Sequence, residues 1–176
     1  WLRVLGVAAP NRLAVNLSRC QARTSHGCTS LAACIGLRRL DVSESPGVDD
    51  DALAAVESMS RLTHLNCAGC INIRGTGLKY VAGLTNLRYV NVERCNALTG
   101  GLKFLGQLTE LARLDAGWCN HVDSTDVCAF AGLQNLKHLT LARTQVTAAG
   151  VAPIGQLSAL ETLHLAGCRI TDVACF

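Results

Sequence analysis

The sequence predicts an α/β solenoid: a curved stack of similar units, with parallel strands on the concave face and short helices on the convex face. Three observations predict it. The string Leu-x-x-Leu-x-Leu-x-x-Cys, or a close variant, starts at Leu37, Leu62, Leu87, Leu111, Leu136 and Leu160, so the period is 24 or 25 residues. Between these strings, apolar residues recur every three or four positions, the stripe of a short helix. The composition is 49% hydrophobic but only 4% aromatic and 16% charged, which excludes a disordered chain and leaves a core of Leu, Val, Ile and Ala.

Each element follows from the pattern. Residues 1–11 are unassigned or part of a repeat: Leu2, Leu5 and Val7 could form a strand, but their spacing to the next unit is wrong. The array of about seven units runs over 12–176. The first begins near Arg12, which replaces the leading Leu while Val15, Leu17 and Cys20 take the expected places. In the unit at Leu87, Val90 and Val92 alternate onto one face of a strand, Cys95 enters a turn, and Leu98, Leu102, Leu105 and Leu108 follow on the helical side. The same stripe appears at Leu53, Val56 and Met59, at Leu78, Val81 and Leu84, and at Val127, Phe130 and Leu133. Pro153 removes a donor from a helix beginning at Thr147, so that outer segment should be short or irregular. Asp49, Asp50 and Asp51 suit a helix start, where the dipole favours acidic groups. No unit can bury its own apolar face, so neighbours must stack. The chain starts without Met and its last unit is incomplete, so it reads as a fragment.

The ten cysteines are explained by position. Cys20, Cys70, Cys95, Cys119 and Cys168 share one slot after the strand, which Ser45 and Thr144 fill in the other two units. A slot shared by Cys, Ser and Thr suits a small side chain packed inward and bonded to turn backbone. A column of reduced thiols implies a reducing compartment, hence an intracellular protein, cytoplasmic or nuclear. Cys67 and Cys70 form a Cys-x-x-Cys pair, but both already have packing roles and no second pair accompanies them, so no metal is expected. His26, His64, His121, His138 and His164 lie beside no Cys or Asp arranged as nucleophile and base. Phosphate loops, nucleophile elbows and HExxH helices are absent. The reading is a non-enzyme with no catalytic residue and no cofactor. The net charge of +3 is too small to argue for nucleic acid or an anionic membrane, and no run of 18 apolar residues exists. Asn16-Leu17-Ser18 matches a glycosylation sequon but falls in an expected strand.

Strand positions between the buried leucines face the concavity. One column reads Arg39, His64, Tyr89, Arg113, His138 and Thr162, and the next reads Asn16, Asp41, Asn66, Asn91, Asp115, Thr140 and His164. A third, where the strand enters the turn, reads Arg19, Glu44, Gly69, Arg94, Trp118, Arg143 and Gly167. The register places Trp118 outward between Arg94 and Arg143, and exposed aromatics with Arg are enriched at interface hot spots. Tyr89, Arg94, Arg113, Trp118, His138 and Arg143 are therefore the candidate centre of a partner site. The alternative is that the arginines stack on Trp118 for local stability alone.

Over residues 12 to 176 the units resemble leucine-rich repeats, making the expected fold a leucine-rich repeat solenoid. Cys70, Cys95, Cys119 and Cys168 at the turn, and the step Ile170-Thr171-Asp172, resemble the cysteine-containing class found in the substrate-recognition parts of F-box proteins. Where that class commonly has a second Cys, this chain has Gly83-Leu84 and Gly132-Leu133. The unit from Leu136, with Thr144-Gln145-Val146-Thr147, looks more like repeats of bacterial and protist proteins. The resemblance implies a protein–protein interaction module. Its most concrete version recognises substrates for an F-box-type ubiquitin ligase, with the adaptor held by an upstream segment. The alternative is a structural scaffold or a regulatory repeat segment of a larger multidomain protein.

Overall fold

The computed structural model describes residues 14–20 and 30–170. The unassigned segment 1–11, Arg12, His26 and the Thr171-Asp172 part of the turn step lie outside them. Seven short strands form one sheet: β1 (Ala14–Asn16), β2 (Arg39–Asp41), β3 (His64–Asn66), β4 (Tyr89–Asn91), β5 (Arg113–Asp115), β6 (His138–Thr140) and β7 (Thr162–His164). They lie in chain order, each parallel to the next. The register stacks Val15, Leu40, Leu65, Val90, Leu114, Leu139 and Leu163 into one inward column. The ladder continues past the strand ends: the N–H groups of Glu44, Arg94, Trp118 and Arg143 donate to Ala68, Gly117, Ala142 and Ala166 of the following units at 2.7–2.9 Å.

The outer segments are short helical pieces of one to three turns. They comprise α1 (Asp50–Ala54) with a 3-10 turn at Ala55–Ser58, α2 (Leu78–Val81), a 3-10 helix at Leu102–Gln107, α3 (Ser124–Cys128) with a 3-10 turn at Ala129–Gly132, and α4 (Ala148–Val151) with a 3-10 turn at Ile154–Gln156. A further 3-10 turn spans Ser30–Ala33. The prominence of 3-10 geometry has a cause in the stripe itself. Leu102, Leu105 and Leu108 are three apart, as are Leu53, Val56 and Met59, or Val127, Phe130 and Leu133. Three residues per turn is the 3-10 period, in which positions i and i+3 eclipse. All nine are essentially inaccessible to solvent. Backbone bonds of the same period carry the chain back to the next strand, as in Leu108 N to Leu105 O at 3.0 Å and Leu111 N to Leu108 O at 2.9 Å. Pro153 stands between α4 and its 3-10 turn, so this outer segment is interrupted as the missing donor requires. Asp49 caps α1 by accepting from Ala52 N at 2.9 Å, and Asp50 and Asp51 occupy its first turn.

The core lies between sheet and outer segments as one apolar column with Phe130 as its largest buried side chain. The cysteine slot points into it, but its bonds run between units rather than within the turn. The thiols of Cys70, Cys95, Cys119 and Cys168 donate to Val42 O, Cys67 O, Val92 O and Leu141 O of the preceding unit at 3.0–3.2 Å. Ser45 Oγ makes the same step to Leu17 O at 3.1 Å, while Thr144 Oγ1 turns back to Leu141 O of its own unit at 2.7 Å. On the outer return, Asn86 and Asn135 donate to Ser60 O and Thr109 O, again one unit back, at 2.8 and 2.9 Å.

Candidate functional site

The residue at which each strand breaks into its turn has a left-handed backbone in every unit. The φ values are 58° at Arg19, 53° at Glu44, 71° at Gly69, 60° at Arg94, 61° at Trp118, 59° at Arg143 and 75° at Gly167. Three residues before the left-handed position, Asn16, Asp41, Asn66 and Asn91 accept the N–H two residues on, from Ser18, Ser43, Ala68 and Glu93, at 2.8–3.1 Å. These Asx contacts bend the chain into the turn, so that column serves the backbone. A left-handed conformation costs a residue with a Cβ roughly 1–2 kcal/mol. The inter-unit N–H bond holds it in place, joined by the Asx contact ahead of Arg19, Glu44, Gly69 and Arg94.

The left-handed row carries the most exposed part of the candidate site. Trp118 is 45% exposed. The Arg94 guanidinium, from the preceding unit, lies 5.9 Å from its ring centroid, and that of Arg143, from the following unit, lies 5.1 Å away. Both are within cation–π range. Arg143 is seated from its other side as well. A Cβ added at Gly167 would come within 2.8 Å of Arg143 Cδ, so the bare glycine leaves room for that stem. Among the described residues Arg143 has no carboxylate within ion-pair distance. Arg94 has only Glu93, at 3.9 Å, with the Arg94 side chain well exposed. At Gly69 the row has no side chain, and a recess of about 500 Å³ opens there, lined by Glu44, Ala68, Ile71, Glu93, Arg94 and Asn96. Ile71 on its wall is 52% exposed.

Tyr89, Arg113 and His138 form a second row, five residues earlier in each unit and paired in register across β4, β5 and β6. Their polar groups are engaged inside the chain. Arg113 lies 5.8 Å from the Tyr89 ring centroid and its Nε donates to Asp115 at 2.9 Å. That ion pair explains why Asp115, in a column expected to face solvent, is buried: Arg113 folds over it. Asn91 donates to the Tyr89 hydroxyl at 3.1 Å, and His138 Nδ1 shares a hydrogen bond with Thr162 at 2.7 Å. Burial raises the Tyr89 pKa, so the phenol stays protonated. Burial, with Arg39 and Arg88 nearby, holds His64 below the usual imidazole value and therefore neutral at physiological pH. The six candidates thus form two parallel rows, one exposed and free to pair, one already satisfied.

The buried thiols are poor nucleophiles. Burial pushes the Cys119 pKa up to about 12 and the Cys95 pKa higher still. Sequence reasoning did not see the left-handed column, although glycine at two of its seven positions was a signal for it. It also missed Asp126, a buried carboxylate in α3 whose Oδ1 accepts from Lys103 N at 3.3 Å. Among the described residues its Oδ2 has no hydrogen-bond partner.

A family profile described as "Leucine Rich repeat" matches residues 157–175. No curated protein sequence matches the chain. Solved structures share its shape. An internalin from Listeria monocytogenes is 23% identical with a TM-score of 0.71, over 92% of this chain and 43% of its own. A leucine-rich repeat protein from Leptospira interrogans is 19% identical with a TM-score of 0.66, over 90% of this chain and 38% of its own. This chain therefore spans less than half the length of either. The shared architecture is the leucine-rich repeat solenoid, with parallel strands on the concave face and short helices outside.

Proposed function

We propose that the chain is a protein-recognition module whose partner site centres on Arg94, Trp118 and Arg143, with Tyr89, Arg113 and His138 on the adjoining sheet. The solenoid supports this reading because stacked repeats present extended binding surfaces. The observation that carries it is the exposed Trp118 held between two guanidiniums in a left-handed turn. Gly69 and Gly167 occupy the same slot, so the turn is built equally well with no side chain at all. Arg19 and Glu44 share the slot and pair with each other, whereas Arg94, Trp118 and Arg143 gather there as one exposed cation–aromatic cluster, the residue types enriched where a surface contacts a partner.

The more specific form is a substrate receptor of an F-box-type ubiquitin ligase in the cytoplasm or nucleus. The column of thiols supports it, since those donors act only while reduced. A scaffold without a dedicated ligand is the second reading. It draws on Tyr89, Arg113 and His138, whose polar groups already have partners within the chain.

The test is affinity capture from cell lysate by the protein and by its Trp118→Ala, Arg94→Ala variant, with circular dichroism confirming that both are folded. The expected result is one protein lost from the variant, with affinity lowered roughly 30-fold as for a hot spot, and ligase components retained by both. An unchanged list would move the site elsewhere, and a list without ligase components would favour the scaffold.

A further inference from the structure

We infer that the row Arg94, Trp118, Arg143 takes an acidic segment of a protein partner, extended in the polyproline II conformation with carboxylates at positions i and i+3. The inference rests on the partner-site reading above and gives that site a ligand chemistry.

Charge comes first. Arg143 has no carboxylate partner among the described residues, and Arg94 has only a loose contact at 3.9 Å to its neighbour Glu93. Some exposed cations are neutralised instead: Arg19 pairs with Glu44 at 2.7 Å and Lys137 with Glu161 at 2.9 Å. The guanidiniums beside Trp118 are thus positioned by stacking, not neutralised by it. A guanidinium held over an aromatic ring keeps its outward N–H groups free for a carboxylate.

Spacing comes second. The N–H of Arg94 donates to Gly117 O, that of Trp118 to Ala142 O and that of Arg143 to Ala166 O, at 2.7–2.9 Å. The row therefore advances with the parallel ladder, at about 4.8 Å per unit, which separates Arg94 from Arg143 by roughly 9.6 Å. Polyproline II has three residues per turn and rises about 3.1 Å per residue, so side chains i and i+3 share a face roughly 9.3 Å apart. A β-strand would place i and i+3 on opposite faces. Two carboxylates three apart on a polyproline II segment meet both guanidiniums, and the backbone between them crosses the exposed edge of Trp118 while the two intervening side chains turn away.

A nucleic-acid strand fits less well. Arginines from both neighbouring units flank the indole at 5.9 and 5.1 Å, so a base could stack only by displacing one.

Fluorescence anisotropy with the full chain tests this, using labelled nonapeptides centred on Asp-Pro-Leu-Asp, on Asn-Pro-Leu-Asn and on Asp-Leu-Asp-Pro. The first should bind at least about tenfold more tightly than the others, and weaken as salt rises from about 0.05 to 0.5 M. Arg94→Gln and Arg143→Gln should each weaken it about tenfold, while Lys137→Gln, elsewhere on the surface, should not. Equal binding of the three peptides, no saturable binding below about 1 mM, or tighter binding of a labelled oligouridylate would overturn the inference. The lysate experiment separates the two failures. A partner lost on mutating Trp118 while the peptides fail leaves the site standing and removes only its acidic ligand.

Discussion

At Cys95 and Cys119 one small side chain does two jobs: it fills the core and donates to a carbonyl of the preceding unit. Both thiols are inaccessible, and burial holds the Cys119 pKa near 12. With a reference value of about 8.5, the thiolate at neutral pH falls on the order of a thousandfold. Cys128, on the exposed side of α3, has no such protection. Iodoacetamide pulses read by mass spectrometry should modify Cys128 in the folded protein and reach Cys95 and Cys119 only after denaturant is added. Equal rates at the three would contradict the inter-unit thiol ladder. That the slot is small and inward was legible from Cys, Ser and Thr sharing it. The acceptor was not, because it lies 27 or 28 residues back along the chain.

The first turn of a short outer segment packs against the neighbouring unit, so polar residues there can be buried. Asp126 in α3 shows the cost. It reaches across to Lys103 N while its other oxygen, among the described residues, has no partner, and burial raises its pKa above the usual carboxylate value. A raised folded-state pKa means that the folded protein prefers the protonated acid. Its contribution to stability is complete below the unfolded value of about 3.9 and is lost as pH rises through the folded one. Asp126→Asn keeps an acceptor for Lys103 N and carries no charge. It should stabilise the fold at pH 7 by on the order of 1 kcal/mol, with the advantage shrinking towards pH 4. Urea denaturation at several pH values checks this, and an advantage that grew on acidification would refute the desolvation account. The three-residue spacing of the outer stripe was readable as a 3-10 signal, whereas the burial of Asp126 depends on the neighbouring unit.

Across the whole stack, burial depends on having a neighbour on each side. Leu114 in β5 is fully buried between β4 and β6, whereas Leu163 in β7 is only partly buried, since no further unit among the described residues packs on it. Leu114→Ala should cost about 2–5 kcal/mol, the range for a truncated core leucine, and Leu163→Ala distinctly less. Chemical denaturation of both variants measures this, and equal losses would mean that the last unit is covered by something else. A quasi-linear array gives each unit's stability to its contacts with the next. The row of Arg94, Trp118 and Arg143 belongs to the same scale, because three units must stack in register before its side chains meet.

The sequence alone determined the period, the order of strand, turn and outer segment, the inward columns and the place of Trp118 between two arginines. It could do so because each unit repeats one local pattern, and periodicity is a property of the chain itself. Only the tertiary structure decided that the slot of Arg94, Trp118 and Arg143 is left-handed, that Arg113 closes over Asp115, and that the cysteine column bonds from unit to unit. Those outcomes depend on which backbone atoms of the adjoining unit come within reach, and reach is set by stacking 24 or 25 residues away.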